Sequence, residues 1–316
     1  MRIFVKGQVS PKPHRELLPS GRLSPTEDVI CLFPRRAALS DGAGGTGVYA
    51  HLWAQQLAHT LPEHPFTDNE ALWQYVQRQE APFLQKVEPL AATHAPTNYK
   101  LWIEGSSATL AALWWRPLSG RMVAEWVSYG DSAVMIYEPR LRRLHLQPYL
   151  RPPDQFLRNP HLLNWNGTGL PPSAFCRSEK PLPLDGKIVW LASDALAQHL
   201  YWLYLSTTHW GEARLSSLLP RYPEAAPLVA ALLTYSKHHR FDQHLAQLKI
   251  ALQSPETFQR FCHQLHQQEL LRRDDYALVW VEQAKTQQTK KPKANQKAKS
   301  KPFPHAAHPR RVQTGL

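Results

Sequence analysis

The stretch Ala38-Leu39-Ser40-Asp41-Gly42-Ala43-Gly44-Gly45 constrains this chain more than any other. An apolar run, Val29 to Phe33 and then Ala37 to Leu39, climbs into an aspartate, and a glycine-rich turn follows at once. Short apolar runs closed by a turn signal read as buried strand. The spacing after the turn predicts a helix over Val48 to Leu61. An acid at the end of a buried strand stands where oxygen ligands can hold a hard cation. The glycine after it lets the backbone approach closely enough for its own carbonyl to join. Asp-Gly also makes ordinary hairpin turns, so the reading depends on whether other acids repeat the pattern.

They do. Glu27-Asp28 stands at the entrance of Val29 to Phe33, although two adjacent carboxylates there also suit a solvated turn. Lys187 to Ala192 is a second buried strand and ends in Ser193-Asp194. The last strand, Tyr276 to Val281, is preceded directly by Arg272-Arg273-Asp274-Asp275. Strand ends of one layer can lie side by side, so these acids could share a pocket. Crowded carboxylates repel and stay partly protonated unless a cation supplies the countercharge. With oxygen donors alone, and no His or Cys at ligand spacing, the chemistry points to Mg²⁺ or Mn²⁺ rather than zinc or copper.

The rest of the chain supplies layers around these ends. Ile3 to Val5, among several prolines, reads as an edge strand followed by a loop. Asn69 to Val87 carries Leu72, Tyr75, Val76, Phe83 and Leu84 at helical spacing, with Thr67 or Asp68 as its cap. From Leu101 the period changes. Ser107 to Trp115, Arg121 to Ser128, Ala133 to Tyr137 and Leu144 to Leu150 read as an antiparallel meander, with Trp102, Trp114, Trp115 and Trp126 in the core. Residues 151–186, rich in Pro, Asn and Gly, form a flap-like surface excursion. Residues 195–271 are helical, with 200–270 an extended helical segment. His238-His239 and the pair His263 and His266 lie on its solvated face rather than on a metal.

Composition narrows the classes further. At 316 residues and 43% hydrophobic content the chain is globular, and no run approaches the length of a membrane span. The start lacks the apolar region of a signal peptide, and Cys31, Cys176 and Cys262 are too scattered for a zinc site or a disulfide framework. Both point to a reducing cytoplasm. Most of the +12 formal charge lies beyond residue 284, where nine Lys and Arg occur with no acid. That leaves a domain over residues 1–284 and a basic tail over 285–316 with too little apolar content to order itself.

Six motifs now stand in order along residues 22–283: Arg22 with Glu27-Asp28, Asp41-Gly42-Ala43-Gly44-Gly45, Gly105-Ser106-Ser107-Ala108, Gly130-Asp131-Ser132, Ser193-Asp194-Ala195 and Asp274-Asp275. In this order they resemble the metal-dependent protein phosphatases (the PPM, or type 2C, family) in their bacterial form. The resemblance implies an α+β fold, with two central antiparallel β-sheets sandwiched between helical layers. It implies two Mg²⁺ or Mn²⁺ ions, Asp41 bridging them, Asp194 and Asp274 on the first, and Glu27 with the Gly42 carbonyl on the second. Asp28 would stand behind these ligands, and Asp131 would serve a third, weaker site. Arg22 would bind the substrate phosphate. The reaction implied is hydrolysis of a phosphoserine or phosphothreonine by in-line attack of a metal-bridged hydroxide. The partners implied are a phosphoprotein substrate and a cognate serine/threonine kinase.

The pattern also has departures. Arg22 is one residue farther from Glu27-Asp28 than the family spacing puts it, so Arg35 or Arg36 is the alternative phosphate ligand. Ala43 replaces a histidine found in many members, Ala195 replaces a glycine, and Gln198 stands where many members have an acid. Two other functions stay open on the residues alone. One is a catalytically weak phosphatase-fold scaffold that binds phosphoproteins. The other is non-specific binding of nucleic acid or an anionic surface by the tail.

Overall fold

The computed structural model describes residues 2–16, 23–147, 153–171 and 174–284. Arg22 and the whole basic tail, including its expected disorder, lie outside the described residues. In chain order the first strands are β1 (Ile3–Ser10), β2 (Asp28–Phe33) and β3 (Arg36–Asp41). Helices α1 (Ala50–His59), α2 (Asn69–Ala91) and α3 (Ala95–Glu104) follow. Then come β4 (Ser107–Ala108), β5 (Leu110–Leu118), β6 (Arg121–Tyr129), β7 (Ala133–Glu138) and β8 (Arg143–Gln147). The short strands β9 (Leu163–Asn164), β10 (Phe175–Arg177) and β11 (Leu182–Pro183) precede β12 (Ile188–Ala192). Helices α4 (Asp194–Ser206), α5 (Gly211–Ser216), α6 (Ala226–Ser236), α7 (Phe241–Ala251) and α8 (Pro255–Gln267) lead to β13 (Tyr276–Gln283).

Two antiparallel sheets pack face to face. One has the order β1-β13-β12-β7-β8; the other runs β10-β6-β5-β3-β2, with β11 also paired to β6. Alternation along β12 shows how the layers arise. Val189 and Leu191 enter a core shared with Leu39, Leu113, Val134 and Val279, between the sheets. Trp190 and Ala192 point the other way, into a core with Leu200, Trp202, Leu248 and Phe258 from the helices α4 to α8. On the outer face of the second sheet, Ala38, Ala112 and Trp114 meet Trp53, Leu57, Leu72 and Phe83 of α1 and α2. Helix, sheet, sheet, helix is thus the order of layers, an α+β fold of the kind expected. A strand covered on both faces loses its polar alternation, which is why these segments read as continuous apolar runs.

Four details differ from the sequence reading. The segment Val29–Phe33 is not a buried strand: β2 is an edge of its sheet, and Leu32 is 44% exposed. The meander is broken. β5 and β6 belong to one sheet and β7 and β8 to the other, so the chain changes sheets at Gly130-Asp131-Ser132. Helix α3 was not foreseen, and Trp102 on it is exposed instead of joining the core with Trp114, Trp115 and Trp126. Within residues 151–186, Phe156, Leu163 and Trp165 are buried, β9 pairs with β4, and β10 and β11 add to β6.

Candidate functional site

The antiparallel register of β2 and β3 sets Asp28 directly opposite Asp41. Like charges facing across a strand pair are unfavourable, and here burial adds to the repulsion. It pushes the Asp28 carboxyl well above the usual carboxylate range, and Asp274 pushes the same way. Asp41 is raised in the same manner, by burial first and by Asp28, Asp131 and Asp274 after it.

The backbone at Asp41 is held from two sides. Its N–H donates to Thr109 Oγ1 (3.2 Å), and its carbonyl accepts from the Thr109 N–H (2.8 Å). The Thr109 hydroxyl also lies 2.6 Å from that of Ser132. The turn where the chain changes sheets is therefore tied to the end of β3. Gly130 has φ +91°, and a Cβ there would stand 2.7 Å from Thr109 Cγ2, so both the backbone angle and the close approach require glycine. Beside it, burial pushes the Asp131 carboxyl up to about 6, while Arg272 pulls it down.

The glycine turn after Asp41 is shaped by its neighbours. The Gly42 N–H donates to the Glu27 carbonyl (3.2 Å), extending the β2–β3 ladder by one step. A side chain at Gly44 would clash with the Glu27 carboxylate. Burial pushes the Glu27 carboxyl up, and Lys12 beside it opposes that shift. The Gly42 carbonyl accepts from the Gly44 N–H at 3.1 Å, which leaves its second lone pair available.

Strands β12 and β13 bring the remaining acids. Ser193 Oγ accepts from the Ala277 N–H (3.0 Å), and its hydroxyl acts on the Asp28 carboxyl, opposing the rise that burial imposes. Asp194 opens α4, with Oδ1 accepting the Ala195 N–H at 2.5 Å. Asp274 Oδ1 accepts from the Asp275 N–H at 2.9 Å. Asp275 turns elsewhere: its two oxygens accept the backbone N–H groups of Lys12 and Glu27, each at 2.7 Å. It acts as a clamp on the chain that delivers Glu27. Between Asp194 and Asp274 stands the guanidinium of Arg272, paired with both.

Glu27, Asp28, Asp41, Asp131, Asp194 and Asp274 thus meet at one end of the two sheets. Asp28 Oδ2 is buried and has no hydrogen-bond partner. A buried carboxylate oxygen left bare is costly; together with the all-oxygen donor set and the carboxyls raised by burial and by one another, it fits a hard divalent cation. Among the described residues no three donors already stand close enough to hold one. Arg36 is no substitute for Arg22: it starts β3 and pairs with Glu63, five residues or roughly 17 Å of strand away from Asp41. Arg272 and Asp275 were missed as participants. A signal existed, since residues two apart on an extended chain share a side, and Arg272 precedes Asp274 by two.

No protein-family model and no curated protein matches the chain. Solved structures do. The serine/threonine phosphatase PstP/Ppp of Mycobacterium tuberculosis aligns over 89% of this chain and 98% of its own, with 17% identity and a TM-score of 0.45. The PstP catalytic domain in complex with two manganese ions gives 18% identity, 89% and 97% coverage and a TM-score of 0.44. PppA of Pseudomonas aeruginosa, described as a key regulatory component of its T6SS, gives 13% identity, 89% and 98% coverage and 0.45.

Proposed function

We propose that this chain is a metal-dependent serine/threonine phosphoprotein phosphatase of the PPM (type 2C) kind. The observation that supports it best is the facing pair Asp28 and Asp41, buried at the strand ends beside Asp131 and Asp274, with one Asp28 oxygen unpartnered. A protein tolerates such a concentration of carboxylates where a bound cation repays its cost.

In this reading Asp41 would help hold both of two Mg²⁺ or Mn²⁺ ions. Asp194 and Asp274 would hold the first, Glu27 and the Gly42 carbonyl would hold the second, and Asp131 would serve a third, weaker one. When bound, the cations would supply an acidified water and neutralise the phosphoryl oxygens. The chain's own groups do the positioning. Thr109 and Ser132 fix the backbone of Asp41, Asp275 fixes that of Glu27, and Ser193 orients Asp28. Arg22 remains the proposed phosphate ligand, where a guanidinium offers two parallel hydrogen bonds. The substrate class, a phosphoserine or phosphothreonine protein, follows from the motif resemblance.

Hydrolysis of p-nitrophenyl phosphate and of a phosphothreonine peptide, with and without Mn²⁺, tests the reading. The expected result is turnover that needs the metal and falls by at least about a hundredfold in Asp41→Asn, the order of loss for a group acting on the transition state. Full activity in EDTA, or in Asp41→Asn, would overturn it. A second reading, a catalytically weak scaffold of the same fold, is favoured by one observation: Arg272 engages Asp194 and Asp274. Phosphopeptide binding without turnover under saturating Mn²⁺ would select it.

A further inference from the structure

Arg272 is a cation that the chain itself places among the acids. Its Nη2 pairs with Asp194 and lies 3.3 Å from Asp274 Oδ2, and its Nη1 donates to the Phe156 carbonyl at 3.3 Å. The Tyr276 hydroxyl, from the first residue of β13, anchors its backbone carbonyl at 2.9 Å. The guanidinium also acts electrostatically on Asp131. One half of the cleft, formed by Asp194, Asp274 and Asp131, therefore carries its own countercharge. The other half, formed by Glu27, Asp28 and Asp41, has the bare Asp28 oxygen and, among the described residues, the ammonium of Lys12 near Glu27.

The two halves differ in what a divalent cation must do to enter. On the Glu27 side it meets the bare Asp28 oxygen and a glycine turn whose backbone closes on the Glu27 carboxylate. On the Asp194 side the oxygens it needs are already paired. A guanidinium cannot lose its charge to make way; it must swing out. Arg272 is built to do so at modest cost, since its Nε is buried without a partner and its side chain is one-third exposed. Removing it frees two carboxylates and relieves an unsatisfied donor.

We propose that Arg272 is a built-in competitor for the divalent cation at the Asp194–Asp274 half of the cleft. A first cation loads readily on the Glu27–Asp28–Asp41 side, and a second binds only as the guanidinium leaves. The proposal rests on the metal-dependent reading above. It makes Arg272 a determinant of metal loading, distinct from the phosphate-binding role given to Arg22.

Titration of the full chain with Mn²⁺, followed by calorimetry and by the paramagnetic resonance of free Mn²⁺, tests this. Wild type should show two separated binding steps. In Arg272→Gln the weaker step should tighten about ten- to a hundredfold, the worth of displacing one charge-assisted pair. Arg272→Lys, which keeps the charge without the fork, should fall between them and guards against a Gln variant that fails to fold. In EDTA the Gln variant should melt below wild type, because Asp194 and Asp274 lose their countercharge, and saturating Mn²⁺ should reverse that order. A second step that is unchanged or weaker in Arg272→Gln overturns the proposal while leaving the phosphatase reading intact. No Mn²⁺ binding by wild type or either variant at millimolar metal overturns both.

Discussion

Asp275 sets a limit on what a cluster of acids means. It stands beside Asp274 in sequence, yet its carboxylate spends both oxygens on the N–H groups of Lys12 and Glu27. Asparagine has nearly the same shape but only one acceptor oxygen, and its NH₂ would face one of those donors. Asp275→Asn should therefore cost about 1.5–3 kcal/mol, the worth of a hydrogen bond to a charged acceptor. For a domain of this size that lowers the melting temperature by roughly 5 °C. It should also weaken Mn²⁺ binding by loosening Glu27, with Asp194 and Asp274 untouched. An unchanged melting temperature and metal affinity would mean the carboxylate does not hold the segment. Residue types at strand ends were legible in the sequence. Which acid of a pair faces the cleft was not, because that depends on a backbone 248 positions away in the chain. Arg272 was hidden for a related reason: an arginine before two aspartates reads as surface until β12 brings Asp194 alongside.

At the scale of elements, legibility followed local causes. Helix α2 could be read because Asp68 caps it, accepting the Ala71 N–H at 2.8 Å, and its apolar stripe is long. Helix α3 could not, since it buries only Leu101 and so lacks a stripe. The segment 195–271 read as helical, but its polar interior went unseen. His199 on α4 and His244 on α7 are both buried, their Nε2 atoms 3.0 Å apart. His199 Nδ1 faces the Leu270 carbonyl at 2.6 Å and must carry the proton, so His244 Nε2 donates to His199 Nε2. The Tyr235 hydroxyl, 3.4 Å away, then faces His244 Nδ1. Both rings are satisfied only when neutral. Burial lowers the pKa of His199 to about 4 and of His244 well below its usual value. The unfolded chain takes up protons first as pH falls, so the stabilisation is complete above about 6.5 and is lost from there down toward about 4. His199 alone should cost about 2 kcal/mol between pH 6.5 and 5. Urea denaturation midpoints across that range should fall in wild type, and fall less in a His199→Leu, His244→Leu double variant. Parallel curves for the two proteins would show that the pair does not titrate on unfolding.

At the scale of the whole molecule, the layered body and the basic sequence of residues 285–316 invite different measurements. All the described acids of the cleft lie within residues 27–274, and β13, the last of the described strands, ends at Gln283. Beyond it the sequence has nine Lys and Arg, no acid, and few large apolar side chains. Such a segment has little apolar surface with which to offset the entropy of ordering. Deleting residues 285–316 should thus leave kcat/KM for p-nitrophenyl phosphate within about twofold of wild type, inside the range of effects from sites remote from the chemistry. Binding to nucleic acid should behave in the opposite way. Each phosphate neutralised by Lys or Arg on duplex DNA contributes about −0.9 to the slope of log K against log salt. A tail engaging even half its cations should then give a slope near −4, and truncation should remove it. Fluorescence anisotropy of a labelled random duplex, at several salt concentrations, reads this directly. A severalfold loss of phosphoester turnover on truncation would place part of the tail in the folded body. An unchanged slope would place the DNA-binding charge on the layered domain instead.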